Sequence, residues 1–392
     1  MKKTYHIFLA AILIFWGCKN MELSSETNSC IGNETVNISY SKATEIQQKL
    51  DEIVREGIPG VAIAIHTNEG YWSGASGFAK IETKEPMQMC HLQYGQSVAK
   101  TYMATAMLLL RDEGKIDLDE KITKYLPQNV SSKIKDAEKI TVRMLLNHTS
   151  GVPEYNDNPQ YVSYLLQHPL HEFSSMDYLE YVNGKPLLFT PGSKYKYSNT
   201  NYLLAALLAD AVSENHADYI KNKILIPLEL NNTCYHNGSC FNKPELVNSY
   251  WDRYSNRQIE NCSQMQRVNV ASLIGDDGVI ATPIDYIRFL KSLFGGEIIS
   301  SSAMTEMLTF VEKNPNEPEG YGLGLHKEFY KGYTDYGHTG GGIGASCLLS
   351  YYPEKDVFIF LGINIGTSIY SPVFDNLEDK INAILDILLE LN

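Results

Sequence analysis

The chain has 392 residues, 33 of them basic and 46 acidic, for a formal net charge of −13. With 44% hydrophobic and 20% charged side chains it reads as a folded globular protein. At about 150 residues per domain its length allows two or three domains, or one large two-lobed unit. The acidic balance, with no cluster of Lys and Arg, argues against a nucleic-acid partner, and seven Cys without a CxxC pair argue against a zinc ribbon or a disulfide scaffold.

Lys2 and Lys3 precede an apolar run from Ile7 to Trp16, followed by Gly17 and Cys18. Ten apolar residues suit an export signal over residues 1–17, whereas a bilayer span needs about 20. A Cys behind a small residue at the end of such a run resembles the lipobox of bacterial lipoproteins. That resemblance implies lipidation of Cys18 and attachment to a membrane through this anchor only. Phe15 and Trp16 are bulky for a lipobox, so ordinary signal cleavage stays open as the alternative. Loss of the first 17 residues removes Lys2 and Lys3 and no acid, leaving a charge of −15. Residues 18–42 are polar and read as a tether, leaving 43–392 as one catalytic unit. Export to the periplasm or cell envelope is an oxidising setting, where Cys234 and Cys240, flanking Tyr-His-Asn-Gly-Ser, are close enough for a hairpin disulfide. Two free thiols are the alternative.

A helix is expected near Ala43 to Glu56. Val61 to His66 alternates and is β-branched, and Tyr71 to Ala79 follows a turn at Asn68-Glu69-Gly70, so the two form a hairpin. Helices are expected at Ser97–Glu113, Met176–Asn183, Asn201–Ser213 and Asp285–Phe294. Strands return at Ser346–Tyr352 and Asp356–Ile363, and an amphipathic helix closes the chain from Asn376 to Leu391. This order predicts an α+β fold: an antiparallel sheet built from both chain ends, flanked by helices, with a mostly helical lobe inserted.

No GxSxG elbow, Walker loop or HExxH is present. His168-Pro-Leu-His171 has ligand-like spacing but no carboxylate partner and reads as a loop pair; no metal or cofactor is expected. Gly340 to Ala345 loosely fits a dinucleotide fingerprint, yet a β-like run follows it where a helix is required. Gly95-Gln-Ser97-Val-Ala-Lys100 is more informative. Residues three apart share a helix face, so the Lys100 ammonium can lie beside the Ser97 hydroxyl. Ser97 also stands at a helix start, where free N–H groups favour a developing oxyanion. Alone, this pattern is weak, and the plainer reading makes Ser97 an N-cap and Lys100 a solvated surface residue. Further on stand Tyr197-Ser-Asn199 and Tyr336-Gly-His338-Thr339-Gly340-Gly341.

SxxK, YxN and His-Thr-Gly in that order resemble the class C β-lactamase and D-alanyl-D-alanine carboxypeptidase family of penicillin-recognising serine hydrolases. Leu145-Leu-Asn-His-Thr-Ser-Gly151, Ile226-Pro-Leu-Glu-Leu230 and Gly275-Asp-Asp-Gly278 agree with it. The resemblance implies a two-lobed serine β-lactamase-like fold and a serine hydrolase working through an acyl-enzyme. It makes Ser97 the nucleophile, with Lys100 and Tyr197 moving its proton, and Asn199 a hydrogen-bond partner of the acyl-side amide. Ser97 and Gly341 N–H groups would form the oxyanion hole, with Gly340 beside them. His338 and Thr339 would face the leaving side or a substrate carboxylate. His148-Thr-Ser-Gly151 reads as a structural turn.

His338 stands where class C enzymes have Lys, and a neutral imidazole attracts a carboxylate less than an ammonium does. His-Thr-Gly is similar to family members that act as D,D-peptidases or esterases, so the resemblance implies a D,D-carboxypeptidase, D-amino-acid peptidase or esterase acting on a small molecule or short peptide, peptidoglycan-derived fragments included. A β-lactamase and a non-catalytic surface sensor are the alternatives. His326 and Lys327 are expected in a solvated loop.

Overall fold

The computed structural model describes residues 37–391 apart from 237 and 368. The expected signal 1–17, Cys18 and most of the tether lie outside the described residues.

Helix α1 (Ala43–Arg55) and the hairpin β1 (Gly60–Thr67) and β2 (Gly70–Lys80) open the domain. The C-terminal part adds β3 (His326–Tyr330), β4 (Tyr333–Gly342), β5 (Ala345–Tyr352), β6 (Val357–Ile363) and α6 (Leu377–Leu389). These strands, with three short ones, form one nine-stranded antiparallel sheet. Its order is Glu85–Pro86, β2, β1, β6, β5, β4, β3, Gly320–Tyr321, Val311–Glu312. The chain ends meet at its centre, where Val61 of β1 pairs with Ile363 of β6. The antiparallel sheet closed by both ends is as the sequence order implies.

Sheet packing follows from the side chains. Val61, Ile63 and Ile65 point to one face, against Ile46, Leu50, Ile53 and Val54 of α1 and Ile384, Leu385, Leu388 and Leu389 of α6. Residues spaced three and four apart on each helix supply that apolar stripe. The opposite face carries Ala64, Leu349, Phe358 and Phe360 and is covered by α5 (Pro283–Phe294), whose Tyr286 ring stacks 4.2 Å from Phe360. With helices on both faces, the central strands β1 and β6 are buried at every residue but His66.

Between the two halves lies the mostly helical lobe, including α2 (Ala99–Asp112), α3 (Pro159–Gln167) and α4 (Asn199–Ser213). Among the described residues, no helix is long and apolar enough to cross a membrane.

Several expectations are corrected. The end of the tether is docked: Asn37 N–H donates to the Tyr71 carbonyl at 2.7 Å, and the buried Tyr40 ring stacks on Trp72. The middle of the chain also contains a small sheet of Gln93–Tyr94, Val279–Ala281 and Thr233–Tyr235, strands too short to show a period. The helix expected at Met176–Asn183 spans only Ser175–Glu180, started by a capping box of Ser174 and Asp177. Cys234 and Cys240 are disulfide-bonded, but they join a strand to the short helix Gly238–Phe241 instead of closing a hairpin. His326 is no loop residue; it is 4% exposed at the start of β3. The glycine run at 340–345 turns the β4–β5 hairpin, with Gly342 paired to Ala345.

Candidate active site

The turn that carries Ser97 is built by close packing. Strand Gln93–Tyr94 pairs with Ile280 and Ala281 and delivers the chain to Gly95, where a Cβ would stand 2.6 Å from the Tyr286 hydroxyl oxygen. Gln96 is then left-handed, with φ +48°, before a 3₁₀ turn Gln96–Val98 leads into α2. Such a conformation costs a side-chain-bearing residue about 1–2 kcal/mol and persists because its surroundings hold it. The Cys347 thiol donates to the Gly95 carbonyl at 3.2 Å, and a Cβ on Gly340 would stand 2.4 Å from that same oxygen. The turn presents Ser97 to a cleft.

Lys100 reaches Ser97 as its spacing implies. Its Nζ donates to Ser97 Oγ at 2.9 Å and to the Asp276 carbonyl at 2.9 Å, and the residue is 0% exposed. Burial pulls the ammonium down to about 8, against the opposing pull of the Asp276, Asp277 and Glu154 carboxyls. The Tyr197 ring lies 5.0 Å from Lys100 Nζ. Burial raises its phenol above the usual range, and a hydrogen bond with Ser97 partly offsets this.

Tyr197 and Asn199 are positioned by the turn expected to be structural. His148 is left-handed at φ +60°, and its ring packs 4.4 Å from that of Tyr197. Its Nδ1 accepts from Ser198 N–H at 3.3 Å and meets the Asn201 side-chain nitrogen at 3.1 Å. Asn199 opens α4, and its backbone N–H donates to the Glu154 carboxylate.

The third motif lies on β4. Thr339 and Gly341 are exposed, and a Cβ on Gly341 would meet nothing within 4 Å, so backbone there is open to a ligand. His338 is turned inward. Its Nδ1 meets the Thr339 carbonyl at 2.6 Å and its Nε2 the Tyr321 hydroxyl at 2.9 Å. A carbonyl only accepts, so Nδ1 carries the hydrogen and Nε2 accepts from Tyr321. Burial first, then Lys100 and His326, holds this imidazole well below its ordinary range and therefore neutral. The expectation that His338 faces a substrate carboxylate is corrected: both ring nitrogens are occupied within the fold.

Ser97, Asn199 and Gly341 line a cavity of about 470 Å³ together with Tyr155, Tyr161, Leu165, Leu273 and Ile343. Asp276 and Asp277 also line it, and no Lys or Arg is among its described lining residues. Glu154, Tyr155, Asp276, Asp277 and Tyr321 were not singled out from the sequence. The signal for two of them was Gly275-Asp-Asp-Gly278, noted only as a flanking match. The Tyr155 hydroxyl donates to Asp276 Oδ2 at 2.6 Å, and Asp277 Oδ1 accepts from Gly278 N–H at 2.7 Å. Burial raises both carboxyls, Asp277 to about 7. It also raises Glu154 to about 7, against the N–H groups of Asn156 and Asn199. Among the described residues, no group of three or more His, Cys, Asp or Glu is placed to hold a metal.

The Beta-lactamase family pattern matches residues 45–380. Penicillin-binding protein 4* of Bacillus subtilis strain 168 is 26% identical over 318 residues, which are 77% of this chain and 67% of that protein. Protein flp of Staphylococcus aureus strain N315 is 26% identical over 197 residues, 48% of this chain and only 38% of that protein. A D-stereospecific amidohydrolase from Streptomyces sp. superposes with a TM-score of 0.77 at 27% identity, covering 89% of this chain and 99% of that one. The D-amino acid amidase of Ochrobactrum anthropi SV3 complexed with L-phenylalanine amide shares the fold, with a TM-score of 0.76 at 24% identity over 89% and 98% of the two chains. The family pattern runs across most of the chain and takes in every residue of the cleft, and the protein therefore belongs to the Beta-lactamase family of serine hydrolases.

Proposed function

We propose that the protein is a serine hydrolase that cleaves amide or ester bonds beside a D-configured residue through an acyl-enzyme on Ser97. The observation that carries this reading is the fully buried Lys100 ammonium donating to the Ser97 hydroxyl at 2.9 Å, with the Tyr197 ring 5.0 Å from the same nitrogen. With Lys100 near 8, about a tenth of it is neutral at pH 7, enough to act as a base. The Ser97 oxygen bonds to the substrate carbonyl carbon and its proton passes to Lys100. The bond to the leaving amine or alcohol breaks as Tyr197 protonates it, and Lys100 returns a proton to Tyr197. Water then releases the acid by the reverse sequence. Backbone N–H groups at Ser97 and Gly341 are suited to the oxyanion.

The D preference is supported by the fold shared with the D-stereospecific amidohydrolase at 27% identity. The D,D-carboxypeptidase and β-lactamase readings have less support, because their substrates carry a carboxylate and the described cleft lining offers no Lys or Arg. A binding-only module has no need of a Lys drawn down to about 8 beside a serine. The test is turnover of D- and L-amino-acid p-nitroanilides, an acyl-D-Ala-D-Ala peptide and a fluorescent penicillin. Hydrolysis of the D-anilides that vanishes in Ser97→Ala supports the proposal; activity surviving that substitution sinks it.

We also propose export through the signal 1–17 and a lipid anchor at Cys18. Metabolic labelling with palmitate should be lost in Cys18→Ser, and no labelling of the unaltered chain would disprove the anchor.

A further inference from the structure

Outside the cleft, one cation stands apart from its kind. Arg111, Arg143, Arg267 and Arg288 are all half-buried. Arg111 pairs with Asp112 and Glu306, Arg143 with Asp119 and Glu306, and Arg288 with Asp285. Arg267 makes no ion pair among the described residues, and its Nε is buried without an acceptor. A buried donor without a partner loses hydration and gains nothing in return, so such groups are rare in folded proteins. In a chain with 46 acidic side chains against 33 basic ones, a half-buried Arg without a carboxylate is the more unusual.

Arg267 lies on the helix Ser263–Ser272. Arg267, Val268 and Ala271 are three and four positions apart, so they share one face of that helix. This face forms a wall of a cavity of about 370 Å³, which the buried Phe173 and Phe241 also line. Glu172 is exposed on the same lining and does not pair with Arg267. The cavity has no lining residue in common with the cleft at Ser97, although Asn269 of the same helix faces that cleft.

The two features together select a ligand. A guanidinium presents N–H donors in a planar fork that matches the two oxygens of a carboxylate. The rings of Phe173 and Phe241 and the side chain of Val268 offer apolar surface that gains by covering a hydrocarbon or aryl group. The volume lies within the range of about 300–1,000 Å³ typical of sites for small organic molecules. An inorganic anion would leave the rings uncovered, and a neutral hydrocarbon would leave Arg267 unpaired.

We propose that this cavity is a second ligand site, separate from Ser97, for a small monocarboxylate with an apolar tail, its carboxylate held by Arg267 and its tail lying on Phe173, Phe241 and Val268. The site does not depend on which bond Ser97 cleaves.

The experiment titrates the full chain by calorimetry with octanoate, with 1-octanol, which keeps the tail and lacks the charge, and with acetate, which keeps the charge and lacks the tail. Octanoate should bind tighter than octanol by about tenfold or more, the scale of one charge-assisted hydrogen bond. Acetate should bind more weakly than octanoate by about tenfold or more, since it buries none of the tail. Arg267→Gln should bring octanoate down to the level of octanol, and Ala271→Trp, which fills the cavity and keeps the charge, should remove binding of both. Saturating octanoate should leave unchanged the rate at which a fluorophosphonate labels Ser97. No octanoate binding, equal affinity for octanoate and octanol, or full octanoate affinity in Arg267→Gln would each overturn the site. So would slower labelling of Ser97, which would place the ligand in the cleft instead. Circular dichroism checks the fold of both variants; one removes charge and the other space, so either alone tests the site if the other fails to fold.

Discussion

The Lys100 ammonium stands 2.9 Å from the Ser97 hydroxyl with none of its side chain exposed to solvent. Burial disfavours its charge and the three nearby carboxyls favour it, and burial wins, leaving it near 8. The Ser97 hydroxyl therefore faces an amine that is partly neutral at physiological pH.

A pH dependence follows. In the proposed mechanism acylation needs neutral Lys100, so kcat/KM should rise about tenfold per pH unit below 8 and level off above it. Asp277→Asn removes one of the carboxyls that support the charged form, so the rising limb should move to lower pH. Initial rates on a D-amino-acid p-nitroanilide between pH 5.5 and about 9.5 check both. A limb that stays in place in the variant would show that Asp277 does not act on Lys100.

In the proposed mechanism Tyr197 donates the proton to the leaving group. Tyr197→Phe keeps the ring that packs on His148 and removes only the hydroxyl. It should lower kcat by about 10²–10⁴-fold with little change in melting temperature. An activated ester, whose leaving group needs no proton, should lose less than an anilide; equal losses would contradict the donor role.

Asp277 also couples stability to pH. Its folded carboxyl is raised to about 7, above its ordinary 3.8, so the stability it contributes is present in acid and lost as pH rises through 7. Asp277→Asn escapes that loss. Its melting temperature should exceed that of the unaltered protein by more at pH 8 than at pH 4.5, a difference of order 1–4 kcal/mol. Thermal unfolding at the two pH values measures it, and the same gap at both would refute the assignment.

Tyr321→Phe leaves His338 Nε2 without its donor in a site that is 4% exposed. The expected cost is about 1–3 kcal/mol of stability, read by urea unfolding. The imidazole should stay neutral, because burial, Lys100 and His326 are what hold it below its ordinary range; an NMR titration of the ring protons that moves to the free value would contradict that assignment.

Strongly periodic local patterns survive into the structure, while weaker ones such as Met176–Asn183 are trimmed. Lys100 meets Ser97 because three residues of helix bring side chains to one face, whatever surrounds them. The alternating Val61, Ile63 and Ile65 and the apolar strand ending at Ile363 carry the fold class, since both need the same buried sheet. The sequence alone reaches Tyr197, Asn199 and the glycines of β4 only through the ordered resemblance. What tertiary structure decided is where each polar group finds its partner. His338 looks like a substrate contact until Tyr321 and the Thr339 carbonyl occupy its two nitrogens. Asp276 stands in the sequence only as part of Gly275-Asp-Asp-Gly278, and folding places its carbonyl on Lys100, 176 positions away. Burial and hydrogen-bond partnership are properties of such long-range contacts, and they turn an acidic chain with a net charge of −13 into a cleft whose acidity has a definite place beside one serine.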